Sequence, residues 1–139
     1  MPIHAGTDLK LMIREYFRRA YDEHDATVID EMIAPDAVNY GLGPEPTRTR
    51  EAFRKWYEAF RGSFSNVSCK VEHVMVEGEW VTCRIRFTAT HTGDHLGPRA
   101  SGKKVTLTAL IMARIVNGKV VEGFNEFNQL SLLQQIGAM

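Results

Sequence analysis

The sequence predicts an α+β fold, with helices first and an antiparallel meander after them. Three observations carry this reading. Apolar residues recur at helical spacing in three stretches before Gly62, the period falls to two beyond Ser63, and Asn117-Gly118 separates two alternating runs. Asn-Gly between alternating runs is the strongest short-range hairpin signal. Helices that precede a run of consecutive strands pack on one face of the sheet those strands form.

The first helix begins near Thr7. Leu9, Met12, Ile13, Tyr16, Phe17 and Ala20 fall on one face, and Thr7 or Asp8 is placed to cap it. A second, short helix over about Ala26 to Ile33 carries Val28, Ile29, Met32 and Ile33, and it stops before Pro35 because the residue ahead of a proline is pushed out of the α region. A short strand from Ala37 then enters the Gly/Pro loop Gly41 to Pro46. From Arg50 a third helix presents Phe53, Trp56, Tyr57 and Phe60, ending near Gly62. Beyond it, strands over Ser68–His91 turn at Glu77-Gly78-Glu79, and the last pair, VTLTALIMARIV and KVVEGFNEFNQLSLLQ, turns at Asn117-Gly118.

The chain has 139 residues, the length of one domain spanning 1–139, enough for one core with a pocket. Seventeen basic and seventeen acidic side chains cancel. Without a net field, nucleic acid and anionic membranes are not expected partners. No apolar run reaches the roughly 20 residues of a membrane span, and MPIHAGTDLK lacks the features of a secretory signal, so a cytoplasmic location is expected. Cys69 and Cys83 sit in strand-like sequence and read as structural thiols. No HExxH-like or Cys/His ligand spacing calls for a metal, and GLGPEP at Gly41 lacks the context of a dinucleotide fingerprint, so no cofactor is expected.

The stretch TATHTGDHLGPRASGKKV interrupts the alternation with Gly93, Gly97 and Gly102 and resumes it at Lys104, which describes a loop folding over a sheet edge or cavity mouth. His91-Thr-Gly, Gly97, Ser101-Gly102, the run Arg114 to Glu122 and the tail Leu132-Leu133-Gln-Gln-Ile-Gly137 together resemble the SnoaL-like polyketide cyclases of the nuclear-transport-factor-2-like superfamily. The resemblance covers almost the whole chain. It implies a cone-shaped barrel of strongly curved antiparallel sheet, wrapped by the three N-terminal helices and enclosing an apolar pocket. It also implies a homodimer formed through the outer sheet face, and cofactor-free enolate chemistry of the aldol type on a hydrophobic polyketide-like molecule.

The resemblance further implies an Asp on the last strand and a His on the strand before it. Here Asn125 and Ile111 stand at those positions, and neither is a base. Asn125 retains the capacity to donate a hydrogen bond to a developing enolate. Arg84 matches an inward-facing arginine of the family, although the alternation Val81, Cys83, Ile85, Phe87 equally places Arg84 and Arg86 on a solvated or dimer face. His91 is the best remaining base, because an imidazole exchanges protons near neutral pH, and it reads equally as a residue that shapes its loop. Glu122 and Glu126 share the parity of Phe124, opposite to Asn125.

For substrate binding the candidates are Asn39 or Tyr40 after the second helix, the aromatic wall of Tyr16 and Trp56, and Met112 and Phe127 on the last strands. The leading expectation is a small enzyme whose base is His91 or a pocket carboxylate, with Asn125 and Arg84 stabilising oxyanion charge. Sister activities on the same fold, such as cofactor-independent hydroxylation, isomerisation or epoxide hydrolysis, remain open, as does a non-catalytic binding or dimerisation module. An Asp-Arg-Asp set for epoxide hydrolysis is not supplied, because Arg86 and Asn125 provide no acids.

Overall fold

The computed structural model describes residues 7–139, with side chains from Leu9 onward. Helix α1 (Thr7–Phe17) buries Leu9, Met12, Ile13, Tyr16 and Phe17. The expected cap at Thr7 or Asp8 concerns side chains outside the described residues. A single π-helical turn, Arg18–Asp22, continues α1 and buries Ala20 and Tyr21. Such a turn is wider than an α turn and resets the helical phase. Asp25 then accepts hydrogen bonds from the backbone N–H of Thr27 (3.1 Å) and from its hydroxyl, opening α2 (Thr27–Met32).

Strand β1 spans Ile33–Tyr40 and therefore includes Pro35, beginning earlier than the strand expected from Ala37. Helix α3 (Arg50–Ser63) starts at Thr49, whose hydroxyl accepts from the N–H of Ala52 at 3.1 Å. Strands β2 (Phe64–Glu77), β3 (Trp80–His91), β4 (Lys104–Val116) and β5 (Lys119–Phe127) form the meander. Asn117 and Gly118 both adopt positive φ, 52° and 76°, as a tight two-residue hairpin loop requires.

The five strands lie in the order β1-β5-β4-β3-β2, with β1 parallel to β5 and every other pair antiparallel. The sheet is thus mixed, and it is curled without closing, since β1 and β2 are both edges. The tail also differs from expectation. The last strand ends at Phe127, and Asn128 accepts from the N–H of Ser131 to cap a short helix α4 (Gln129–Gln135). Apolar residues in QLSLL fit both periods, and the cap decides for helix.

A bulge in β5 sets which side chains of that strand point inward. Ile115 pairs with Val120 while Arg114 pairs with Glu122, leaving Val121 as the extra residue. Val120, Gly123 and Asn125 consequently all face inward, and Glu122, Phe124 and Glu126 face out or sit at half-burial.

Candidate functional site

The curled sheet and the helices laid on it enclose a narrow cavity of about 40 Å³. Ile13, Tyr16, Phe17 and Tyr21 wall it from the N-terminal helix, Phe53 and Trp56 from α3, and Phe87, Ile111, Ala113, Val120 and Phe127 from the sheet. Few of its lining residues carry a polar side-chain group: Asn39, Asn125, Tyr16, Tyr21 and Trp56. Among the described residues, no carboxylate, imidazole, amine or guanidinium belongs to the lining.

The two amides are held by backbone. Asn39 sits near the end of β1, where its N–H and C=O exchange bonds of 2.9 Å with Thr47 across the intervening loop. Asn125 donates from Nδ2 to the carbonyl of Tyr40 at 2.9 Å, and the same nitrogen lies 3.5 Å from Asn39 Oδ1. Asn39 and Asn125 are only 6% and 7% exposed, yet Nδ2 of Asn39 has no partner among the described residues. A buried donor left unpaired costs on the order of 1–3 kcal/mol, which a ligand oxygen at that point recovers.

Two glycines make room for this pair. A Cβ on Gly123 would come within 2.3 Å of Asn39 Oδ1, and one on Gly41, at φ +87°, within 1.9 Å of the Asn125 carbonyl oxygen. Burial pushes the Tyr16 and Tyr21 phenols well above the ordinary tyrosine range; a neighbouring phenol, Tyr57 for the first and Tyr16 for the second, raises each further. Both are therefore neutral near pH 7, and because they hydrogen-bond to each other, one phenolic proton of the pair is left for a ligand. The site offers donors in an apolar, aromatic setting, suited to an uncharged carbonyl or a developing oxyanion.

The structure brings together Asn125, Asn39, Tyr16, Trp56 and Phe127 from the residues expected in a site. It separates the others. Arg84 faces away from the cavity, where Nε meets Glu72 at 3.0 Å while Arg86 takes the second oxygen of the same carboxylate at 3.1 Å. The strict alternation of β3 sends Val81, Cys83, Ile85 and Phe87 to the core and leaves no inward place for either arginine. Met112, 38% exposed, lies on the outer face for the same reason, one residue from inward-facing Ile111. The Tyr40 ring stacks on Phe124 at 5.0 Å on that outer face, so only its carbonyl reaches the site.

His91 is buried but does not line the cavity. Its Nδ1 accepts from the Ser101 N–H at 3.1 Å and lies 3.1 Å from the Ser101 hydroxyl. Its backbone closes the loop neck through bonds to Gly102 and Lys103. The imidazole shapes the loop, with its acceptor nitrogen already used. The site residue that sequence reasoning missed is Tyr21. Tyr21 follows Phe17 by four residues, so the helical spacing Ile13, Phe17, Tyr21 is the signal that could have found it; in the structure it lies in the π turn and stacks on Phe17.

A second chamber of about 400 Å³ adjoins the first. It shares Leu42, Trp56 and Phe127 with the inner cavity and extends to Phe60, Phe64, Leu107 and Leu132, with His95 and Leu96 of the 92–103 loop at its rim. The loop is anchored by Ser63, whose carbonyl accepts from Thr92 and Gly93 and whose hydroxyl accepts from Leu96 at 3.1 Å.

Among the described residues, no three His, Cys, Asp or Glu side chains gather as metal ligands, and no helix is long and apolar enough to cross a membrane.

The family model described as SnoaL-like polyketide cyclase matches residues 11–136. No curated protein matches the sequence. Among solved structures, TsrD from Streptomyces laurentii superposes with a TM-score of 0.87 at 24% identity, over 98% of this chain and 100% of its own. AclR from Streptomyces galilaeus, provisionally named a hydroxylase, gives 0.81 at 27% identity over 94% and 96%. IdmH from Streptomyces antibioticus, provisionally named a polyketide cyclase, gives 0.78 at 25% identity over 92% and 97%.

Proposed function

Because the chain belongs to the SnoaL-like polyketide cyclase family, we propose that it binds a hydrophobic, polyketide-like small molecule and promotes enolate chemistry on it without a cofactor. The observation that carries this reading is the unpaired Nδ2 of Asn39 beside Asn125, buried at the polar end of an otherwise aromatic cavity. Donors fixed in a water-poor site stabilise charge as it develops on a carbonyl oxygen, and removing one such donor typically costs about 100- to 1,000-fold in rate.

In this scheme a carbon flanked by carbonyls enolises, losing its proton to water. The enol carbon bonds to a second carbonyl carbon of the same molecule, and the alkoxide so formed takes a proton back. Atoms balance as an isomerisation, and no oxidant is needed. The protein's share is orientation and hydrogen bonding: Asn39 and Asn125 toward the enolate oxygen, the Tyr16–Tyr21 pair as a neutral donor, Trp56 and Phe127 against the flat part of the molecule. His91 and Arg84 have no part in it, given where they lie.

A second reading is favoured by one observation, the lack of any carboxylate, imidazole or amine in the lining among the described residues. Under it the protein is a binding module that has kept the pocket and not the base. Turnover of a linear 1,3-diketone that carries a further ketone placed for six-membered ring closure by its central carbon, measured alongside its affinity, separates the two. In the enzyme, Asn125→Ala lowers kcat at least about 100-fold with KM little changed; in the binding module the wild type shows no turnover, and Asn125→Ala shifts affinity by no more than about tenfold, roughly 1.4 kcal/mol.

The homodimer belongs to the same proposal. Met75, Leu110, Met112 and Phe124 are exposed on the outer sheet face. Its check is the mass of the protein in solution, with Leu110→Glu expected to shift it to monomer.

A further inference from the structure

The inner cavity is too small for the molecule its polar end is built to receive. At about 40 Å³ it admits water, whereas an apolar cavity of roughly 150 Å³ is what holds a single benzene. The adjoining chamber, at about 400 Å³, has room for two fused rings. What divides them is a partition that belongs to both: the Trp56 ring from α3, Phe127 from the end of β5, and Leu42 from the loop after β1.

Resting on the reading of Asn39 and Asn125 as the oxygen-binding end, we infer that the outer chamber is the entry station for a flat, apolar carbonyl compound, and that Trp56 is the movable partition which sets what size of ring reaches the amides. Trp56 meets Phe53, Phe60 and Phe127 in tilted contacts with ring centroids 5.8, 5.5 and 5.9 Å apart. None of these is a close stack, and the indole is only half-buried. Phe127, the last residue of β5, is held by its pairing with Ala109 and by the Asn128 N–H on the Thr108 carbonyl, so of the two rings in the partition it is the fixed one. The other walls of the passage are fixed. Phe60 and Phe64 are almost wholly buried, and their rings pack 5.0 Å apart. Enlarging the inner cavity therefore falls to Trp56 more than to any other wall. Rotation of its indole joins the two volumes without breaking a backbone hydrogen bond.

The passage also defines a ligand. A molecule that reaches Asn39 and still fills the outer chamber is flat, at least two rings long, and carries its oxygen at the leading end. A single-ring ketone leaves the chamber half empty and gains less from its aromatic walls.

Only two tryptophans are present, Trp56 and Trp80. Trp80 stacks with Phe124 on the outer face, so Trp80→Phe leaves Trp56 as the sole indole. In that background, labelled with 5-fluorotryptophan, 2-acetylnaphthalene is expected to shift the single fluorine resonance, and acetophenone to shift it less. Stopped-flow association of 2-acetylnaphthalene is expected to speed up at least tenfold in Trp56→Ala, with Trp56→Leu intermediate and retaining apolar packing should the alanine variant fold poorly. An unmoved resonance, an unchanged association rate in both variants, or no binding of the naphthyl ketone overturns the inference. Failure of the underlying reading has a different signature: Trp56→Ala speeds association, but Asn39→Ala and Asn125→Ala leave affinity unchanged, so the ketone stops in the outer chamber.

Discussion

Asn125 on β5 and Ile111 on β4 are direct cross-strand partners, and both side chains line the inner cavity. These are the two positions to which the family resemblance assigns an acid and an imidazole. Their adjacency sets an amide beside a methyl-bearing wall at those two positions. The amide works differently from a carboxylate, since it donates to the Tyr40 carbonyl.

Asn125→Asp tests that difference. A carboxylate oxygen 2.9 Å from the Tyr40 carbonyl, in an apolar surround, is repelled by it and poorly solvated, so the folded state holds the aspartic acid protonated. Its folded pKa then lies above the unfolded value of about 3.9. The folded state binds the extra proton between those two values, so stability falls as pH rises through that window and is closest to wild type below it. The expected deficit at neutral pH is roughly 1–3 kcal/mol. Thermal unfolding of variant and wild type at acid and neutral pH measures it, and a deficit independent of pH means the carboxyl has found water. Adding Ile111→His supplies a cationic partner and is expected to recover part of the loss.

The glycines beside the amides separate stability from binding. At Gly41 the clash of an added Cβ is with backbone, and its φ of +87° is unfavourable for any L side chain, so Gly41→Ala is expected to destabilise by roughly 2 kcal/mol or more. At Gly123 the clash is with the end of the Asn39 side chain, which turns aside. Gly123→Ala is thus expected to cost less stability and more affinity, about tenfold for a carbonyl ligand. Denaturant midpoints and calorimetric titration of the two variants read these separately; equal stability losses contradict the assignment.

The meander was legible because its signals are local. Asn117-Gly118 dictates a turn, and the alternation from Val81 to Phe87 points Arg84 outward, against the inward position that the family resemblance implied and the leading expectation adopted. Parity also kept Glu122 and Glu126 apart from Asn125. What was not legible depends on geometry that composition does not encode. Pro35 ends a helix in either register, yet whether β1 pairs parallel or antiparallel is settled only by which edge α2 delivers it to. The π turn at Arg18–Asp22 leaves no residue-level mark, and the tail at Asn128 fits helix and strand alike until its side chain caps Ser131.

The outer face carries a pH-dependent contact that leaves the site untouched. Hydrogen bonds from Arg84 and Arg86 hold the Glu72 carboxyl below the usual carboxylate range. A depressed carboxylate contributes stability above its unfolded pKa, and that contribution is lost as pH falls through the folded value. The gap in melting temperature between wild type and Glu72→Gln is therefore expected to be present at neutral pH and to close on acidification. Arg84→Ala is expected to reduce the same gap while leaving carbonyl-ligand affinity within about twofold. A large affinity loss returns Arg84 to the site.

Burial raises the phenols of Tyr16, Tyr21 and Tyr57, and it pushes the Cys83 thiol up to about 12 and the Cys69 thiol higher still. In each case the folded state keeps a proton that the unfolded chain releases, near pH 10 for tyrosine and about 8.5 for cysteine. Stability is therefore fully present below those values and lost as pH rises through them. Phenolate absorbance is expected to show three tyrosines titrating only as the protein unfolds, and a thiol reagent to find neither cysteine in the native state at pH 8. If Tyr16 is a hydrogen-bond donor to the ligand, Tyr16→Phe weakens binding of a carbonyl compound by about 5- to 10-fold at every pH below that alkaline transition, the size of one neutral hydrogen bond. A loss that grows with pH instead marks the phenol as an acid with an accessible anion, which the buried position of Tyr16 argues against.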